Sequence, residues 1–225
     1  MEKTIRNEPL KKLHAWLEVN IDGYIALCEA GSTTAGDPWV AGRTDRDITI
    51  VVARLTDGAQ TAIRRYLKNK FGDSYLFIIF DEGTFLTNTT EQDLSMKYRG
   101  QTLFGIDVIA QKPEFPRKLA AQLAQSGLRS QERKLRTRLM NSEHWSIEHV
   151  RDYMYPEFKR LIMWLAAKKY AETGKYPRSR AEVATAYNSQ ELRLLVKAIS
   201  NIDGLSRREI INAASSAVKL AQNYA

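Results

Sequence analysis

The chain has 225 residues, 44% hydrophobic and 27% charged, enough for one large domain or two small ones around a real core and too apolar to stay disordered. Its 34 Lys and Arg against 26 Asp and Glu leave a formal charge of +8, which permits a polyanionic partner. The single cysteine, Cys28, excludes an intramolecular disulfide, and with three histidines it cannot close a zinc site unless carboxylates join it.

The N-terminus lacks the apolar stretch of a signal peptide, and no window approaches a membrane span, so a reducing cytoplasm is the expected setting. A first helix is predicted from Pro9, where Leu10, Leu13, Trp16 and Leu17 recur at helical spacing, up to a break at Asn20 and Gly23. Strands are predicted over 24–30 and 47–53, joined by a turn-rich stretch over 32–44. A helix over 59–71 and strands over 75–80 and 102–110 complete the order α, β, β, α, β, β.

Beyond Pro113 and Pro116 the β-branched runs stop. Helices are predicted over 117–126, 130–140, 147–173, 179–187, 190–199 and 206–223, with Ser179 and Ser206 as N-caps and Gly174 as a C-terminal stop. Strands followed by helices predict an α+β fold: a mixed sheet with helices over 1–112, then an all-helical bundle over 113–225. Residues 1–112 hold 14 Lys and Arg against 15 Asp and Glu, a net of −1, whereas 113–225 hold 20 against 11, a net of +9. The whole excess of positive charge is in the helical half.

The chemistry-bearing residues are in the first half. Gly31 and Ser32 end one strand, twelve residues separate Ser32 from Asp45 at the start of the next, and Asp107 is read as lying within the last. Strand side chains alternate, so Asp45 and Asp47 share a face. If the Asp107 strand is their neighbour, three carboxylates converge. Such a cluster needs neutralising, and its hard oxygens suit one or two Mg²⁺ ions completed by substrate phosphates, which makes a nucleoside triphosphate the natural substrate. Gly31 lets backbone approach a phosphate closely, and Ser32 can donate to its oxygens.

The sequence Ala30-Gly31-Ser32, the spacer 33–44, Asp45-Arg46-Asp47-Ile48 and then Asp107 resembles the DNA polymerase beta-type nucleotidyltransferase superfamily, and the long spacer is similar to that of archaeal CCA-adding enzymes and cyclic-oligonucleotide synthases. Two residues depart from the pattern: Glu29 and Arg46 stand where the family is usually apolar. The stretch 171–184 is similar to the C-terminal helical domain of antibiotic nucleotidyltransferases of the streptomycin and spectinomycin type. The resemblance implies a catalytic domain over 1–112 and an acceptor-recognition domain over 113–225. Asp45, Asp47 and Asp107 are then the catalytic and metal-binding residues, Asp107 helping to deprotonate the acceptor, and Gly31 and Ser32 hold the β and γ phosphates.

Transfer of a nucleoside monophosphate from ATP or CTP to an acceptor hydroxyl, with release of diphosphate, is the expected activity. The charge of the helical half points to RNA, such as a tRNA end, as acceptor, through Arg129, Arg133, Lys134 and Arg138. The alternatives are a small-molecule acceptor of the antibiotic type, nucleotidylation of a protein as in toxin pairs, and a non-enzymatic nucleic-acid-binding module. Cys28 is expected to be a buried core residue, and Trp145, Tyr153, Tyr155 and Trp164 are expected in the core. Arg138 and His144 have a spacing loosely like that of HEPN ribonucleases, but Asn141 and Ser142 predict a helix break between them.

Overall fold

A computed structural model describes residues 2–31, 34–38, 40, 46–72 and 75–225. The chain has an α+β fold and divides into two compact units, one of residues 1–35 and 41–114, the other of 36–40 and 115–225.

In the first unit the described elements run α1 (Glu2–Asn20), β1 (Tyr24–Ala30), β2 (Arg46–Val52), α2 (Asp57–Lys70), β3 (Tyr75–Asp81), α3 (Glu82–Thr87), α4 (Glu91–Arg99), β4 (Gln101–Gly105) and the single turn α5 (Val108–Gln111). The strands form one mixed sheet in the order β3-β2-β1-β4, with β2 and β3 parallel and the other pairs antiparallel. Leu27, Ile48, Ile50 and Val52 face one side, where they meet Leu10, Leu13 and Leu17 of α1 and Ile63 and Leu67 of α2. Ala26, Cys28, Ala30 and Val51 face the other, against Phe85, Met96, Val108 and Ile109. Burial on both faces explains why the second half of β2, Ile50-Val51-Val52, is apolar without alternation.

Several elements of this unit differ from expectation. Helix α1 starts at Glu2 and contains Pro9, whose missing N–H removes one helical bond without stopping the helix. Helices α3 and α4 occupy a stretch with no long apolar periodicity. They depend on caps instead: Asp81 accepts from the Thr84 N–H, and Thr90 and Asp93 form a reciprocal capping box. Strand β4 stops at Gly105, five residues short of the predicted end, because Gly105 takes a φ of +85 that turns the chain away.

The second unit holds α6 (Arg117–Asn141), a short 3₁₀ turn over Ser142–His144, α7 (Ile147–Thr173), α8 (Arg180–Tyr187), α9 (Gln190–Ser200) and α10 (Arg207–Tyr224). Helices α6 and α7 lie antiparallel, with Arg117 bonded to the Ala171 carbonyl at one end and Gln131 and Arg138 reaching Glu157 toward the other. The apolar run at Leu161, Ile162, Leu165, Ala166 and Ala167 is core, and no helix of the described residues is long and apolar enough to cross a membrane. The caps at Ser179 and Ser206 form as expected, and Gly174 ends α7 with a φ of 73.

Candidate active site

Strand β1 ends where the antiparallel β2 begins, and the terminal ladder pair there is Ala30 with Asp47. Immediately beyond, Gly31 turns the chain with a φ of +94, and a Cβ at this position would lie 2.7 Å from Oδ2 of Asp47. Both facts require glycine: the backbone angle disfavours any side chain, and even a methyl group would occupy the space in front of the carboxylate. Asp47 is half-buried and shares its sheet face with Thr49, Cys28 and Ala30. A hard carboxylate oxygen over a turn with no Cβ is a cradle of the kind that a Mg²⁺-bound polyphosphate fits. Ser32 and Asp45 lie outside the described residues, and among those described no three acidic, His or Cys side chains group to hold a metal.

Asp107 is not where the sequence places it. It follows the end of β4 and caps α5, and its Oδ1 accepts from the Thr102 hydroxyl at 2.8 Å and from the Ala110 N–H at 3.2 Å. Those two donors hold its carboxyl below the usual range, the Thr102 hydroxyl contributing most. Strand β4 adjoins β1, not β2, and runs antiparallel to it, so Gly105 pairs with Ala26 and the Ile106 N–H reaches the Ile25 carbonyl. The backbone of Asp107 is therefore at the end of β1 opposite to Asp47. The expected placement of Asp107 within a longer β4 next to β2 does not hold, and its carboxylate instead reaches back to Thr102, the partner of Cys28 in the β1–β4 ladder.

The two departures from the family pattern prove to be partners. Arg46, the first residue of β2, donates from Nε to Oε1 of Glu29 at 2.6 Å and from Nη2 to Oε2 at 2.9 Å, with both side chains buried. Nη2 also reaches Oδ1 of Asn7 on α1 at 3.0 Å, and the guanidinium lies 5.8 Å from the centre of the Tyr75 ring on β3. From β4, Gln101 donates to Oε2 of Glu29 at 3.3 Å. Burial disfavours the charge on Arg46, but the bonds from Glu29 outweigh it and hold the guanidinium above its ordinary range. A polar row thus crosses the sheet on the face opposite to Asp47. Each member looks anomalous alone, and only the β1–β2 register reveals the pair.

The second unit contains a residue the sequence reading passed over. Arg180, the first residue of α8, is buried with its backbone N–H on Oδ1 of Asp37 at 2.9 Å and its Nε 3.4 Å from Oδ2. Its Nη1 and Nη2 are buried with no hydrogen-bond partner among the described residues. A guanidinium so placed has the donors to receive an oxyanion. The two arginines flanking the Ser179 cap, Arg178 and Arg180, were the available signal.

Of the other expected contacts, Arg129, Arg133 and Lys134 are exposed on α6 and make no ion pair among the described residues. Arg138 is committed to Glu157 and lies 4.9 Å over the Tyr153 ring. Tyr155 and Trp164 are core, but Tyr153 is 44% exposed, its ring tilted against that of Trp145 at 4.8 Å near the exposed His149. Cys28 is fully buried, and burial pushes its thiol up to about 11, so it is no nucleophile.

No protein-family model matches the chain, and no curated protein sequence matches it. Among solved structures it is similar to spectinomycin adenyltransferase AAD(9) from Enterococcus faecialis, determined with ATP and spectinomycin. The two share 13% sequence identity with a TM-score of 0.60 over 96% of this chain and 99% of the other. The likeness covers residues of both units, and the chain shares its fold with that structure.

Proposed function

We propose that the protein transfers a nucleoside monophosphate from a nucleoside triphosphate to an acceptor hydroxyl. The observation that carries the reading is the Asp47 carboxylate facing a glycine turn at the shared end of β1 and β2. ATP is the donor of choice, because the structural neighbour was determined with ATP. Asp45 and Asp47 hold Mg²⁺, while Gly31 and Ser32 receive the outer phosphates. When bound, Mg²⁺ supplies neutralisation of the charge on the transferring phosphoryl group. The acceptor oxygen forms a bond to the α-phosphorus, the bond from that phosphorus to the bridging oxygen breaks, diphosphate leaves with the electron pair, and the hydroxyl proton is released. With its Oδ1 engaged by Thr102 and Ala110, Asp107 serves as a cap. Arg180 contributes an oxyanion contact on the second unit.

For the acceptor, the charge of +9 over 113–225 and the uncompensated cations on α6 favour a polyanion, RNA, over a polycation. The surface pair Trp145–Tyr153 offers faces on which bases can stack. A second reading, a small hydroxylated molecule, is favoured by the spectinomycin bound to the neighbour and by a cleft of about 500 Å³ between α7 and α8, lined by Lys169, Tyr176, Glu182 and Thr185.

The test is incubation with each α-labelled nucleoside triphosphate and Mg²⁺, in turn with total RNA and with a small-metabolite extract. We expect label in RNA from the native chain, none from Asp45→Asn or Asp47→Asn, and near-native incorporation from Asp107→Asn, which preserves the cap. Label confined to metabolites selects the second reading. Retained incorporation in both Asp45→Asn and Asp47→Asn refutes the site.

A further inference from the structure

Asp47 belongs to the terminal pair of the β1–β2 ladder, where strand pairing ordinarily frays. A hard cation such as Mg²⁺ demands oxygens at about 2.0–2.1 Å in near-octahedral array, and a working constellation tolerates displacements of roughly 0.5 Å. Something must stiffen this end of β2. The carboxylate is also so close to Gly31 that any slip of β2 along β1 changes the opening between them directly.

We propose that the buried Glu29–Arg46 pair is a positioning device that fixes Asp47, the residue after Arg46, for the metal–nucleotide complex, an inference that rests on the nucleotidyl-transfer reading above. The pair is bidentate, the one geometry in which a guanidinium fixes both distance and angle to a carboxylate. Its anchors reach every strand of the sheet and the first helix: Tyr75 on β3, Gln101 on β4 and Asn7 on α1. An apolar pair at these positions would be equally buried, yet burial is non-directional and leaves the strand end able to slide. Stability alone does not account for the charges, because well-packed apolar replacements of buried ion pairs are often neutral or stabilising. Placement accounts for them.

The experiment uses the full chain, Mn²⁺ as a spectroscopically visible substitute for Mg²⁺, and the non-reacting analogue α,β-methylene ATP. No acceptor is needed. Bound Mn²⁺ is measured by electron paramagnetic resonance for the native chain, Arg46→Lys, Glu29→Gln and Asp47→Asn, at a temperature where circular dichroism shows each folded. Arg46→Lys keeps the charge and loses the fork, and Glu29→Gln carries the same prediction if the lysine variant does not fold. We expect half-saturating Mn²⁺ to rise about tenfold, the size of effect seen when a group supporting a metal ligand is removed. Affinity for the analogue in EDTA should change less than about twofold, a split that general loosening of the fold does not produce. Half-saturating Mn²⁺ within about twofold of native in the folded variants, or parallel weakening with and without metal, overturns the proposal. If Asp47→Asn abolishes Mn²⁺ binding while Arg46→Lys leaves it native, only the positioning role fails. A native chain that binds no Mn²⁺ with the analogue overturns the nucleotidyl-transfer reading and this one together.

Discussion

Glu157 is fully buried in the middle of α7, where it accepts from Gln131 Nε2 at 2.7 Å and from Arg138 Nη2 at 2.7 Å, with Arg160 at 3.5 Å. Burial by itself would raise its carboxyl, but the Gln131 bond and the Arg138 bridge outweigh it and hold it below its ordinary value of 4.5. A carboxyl lowered in the folded state stabilises fully above the unfolded value, and that stabilisation is lost as the pH falls through the folded one. Native unfolding midpoints should therefore drop below about pH 4.5. Glu157→Gln should cost about 2 kcal/mol at neutral pH and flatten this acid limb, as measured by urea titration from pH 7 downward. The charge of Glu157 was visible in the sequence, but its partners, some twenty residues away, were not. Gly31 and Asp47 were legible because a strand end and a two-residue alternation are local properties. Arg180 and the Glu29–Arg46 pair depend on which strand or loop lies opposite, which no local pattern records.

At the scale of elements, the same distinction decides which boundaries could be read. Capped helices such as α7, α8 and α10 were legible from Ser179, Ser206 and Gly174. Helix α6 was read as two because residues 126–130 include a glycine and two serines, yet it runs unbroken through Gly127. The reason is packing: a Cβ on Gly127 would overlap the Trp164 indole of α7. Two effects therefore oppose one another in Gly127→Ala. Helix propensity favours alanine by about 1 kcal/mol, whereas forcing a methyl group into a packed interface costs about 1–3 kcal/mol. Trp164 is itself buried and has little room to move, so packing should win. We expect a net loss of up to about 2 kcal/mol in urea unfolding; a gain in stability would show that the indole can give way. Asp107 illustrates the reverse error. Apolar neighbours extended the apparent strand past Gly105, although Ile106 is in fact 60% exposed.

For the whole molecule, charge is the property that discriminates between acceptors. Arg129 and Arg133 are one helical turn apart with Lys134 beside them, all exposed on α6. If these three contact phosphates of single-stranded RNA, affinity should fall roughly 20-fold between about 50 and 200 mM salt, from a slope near −0.7 per contact. Replacing all three by glutamate should abolish most of the binding in a filter assay with a homopolymeric RNA. A salt-independent affinity would instead favour the small hydroxylated acceptor. The path of the chain carries a separate implication. Residues 36–40 pack with the helical unit although they lie between β1 and β2, so the backbone passes from one unit to the other three times. Asp37, within that excursion, is the carboxylate on which Arg180 rests. A gene fragment ending near residue 112 would strand Asp37, and one beginning at 115 would leave the Arg180 guanidinium buried without its counter-ion. Recombination could not exchange the helical unit as a cassette, so residues 36–40 and the helices they pack with must be inherited together.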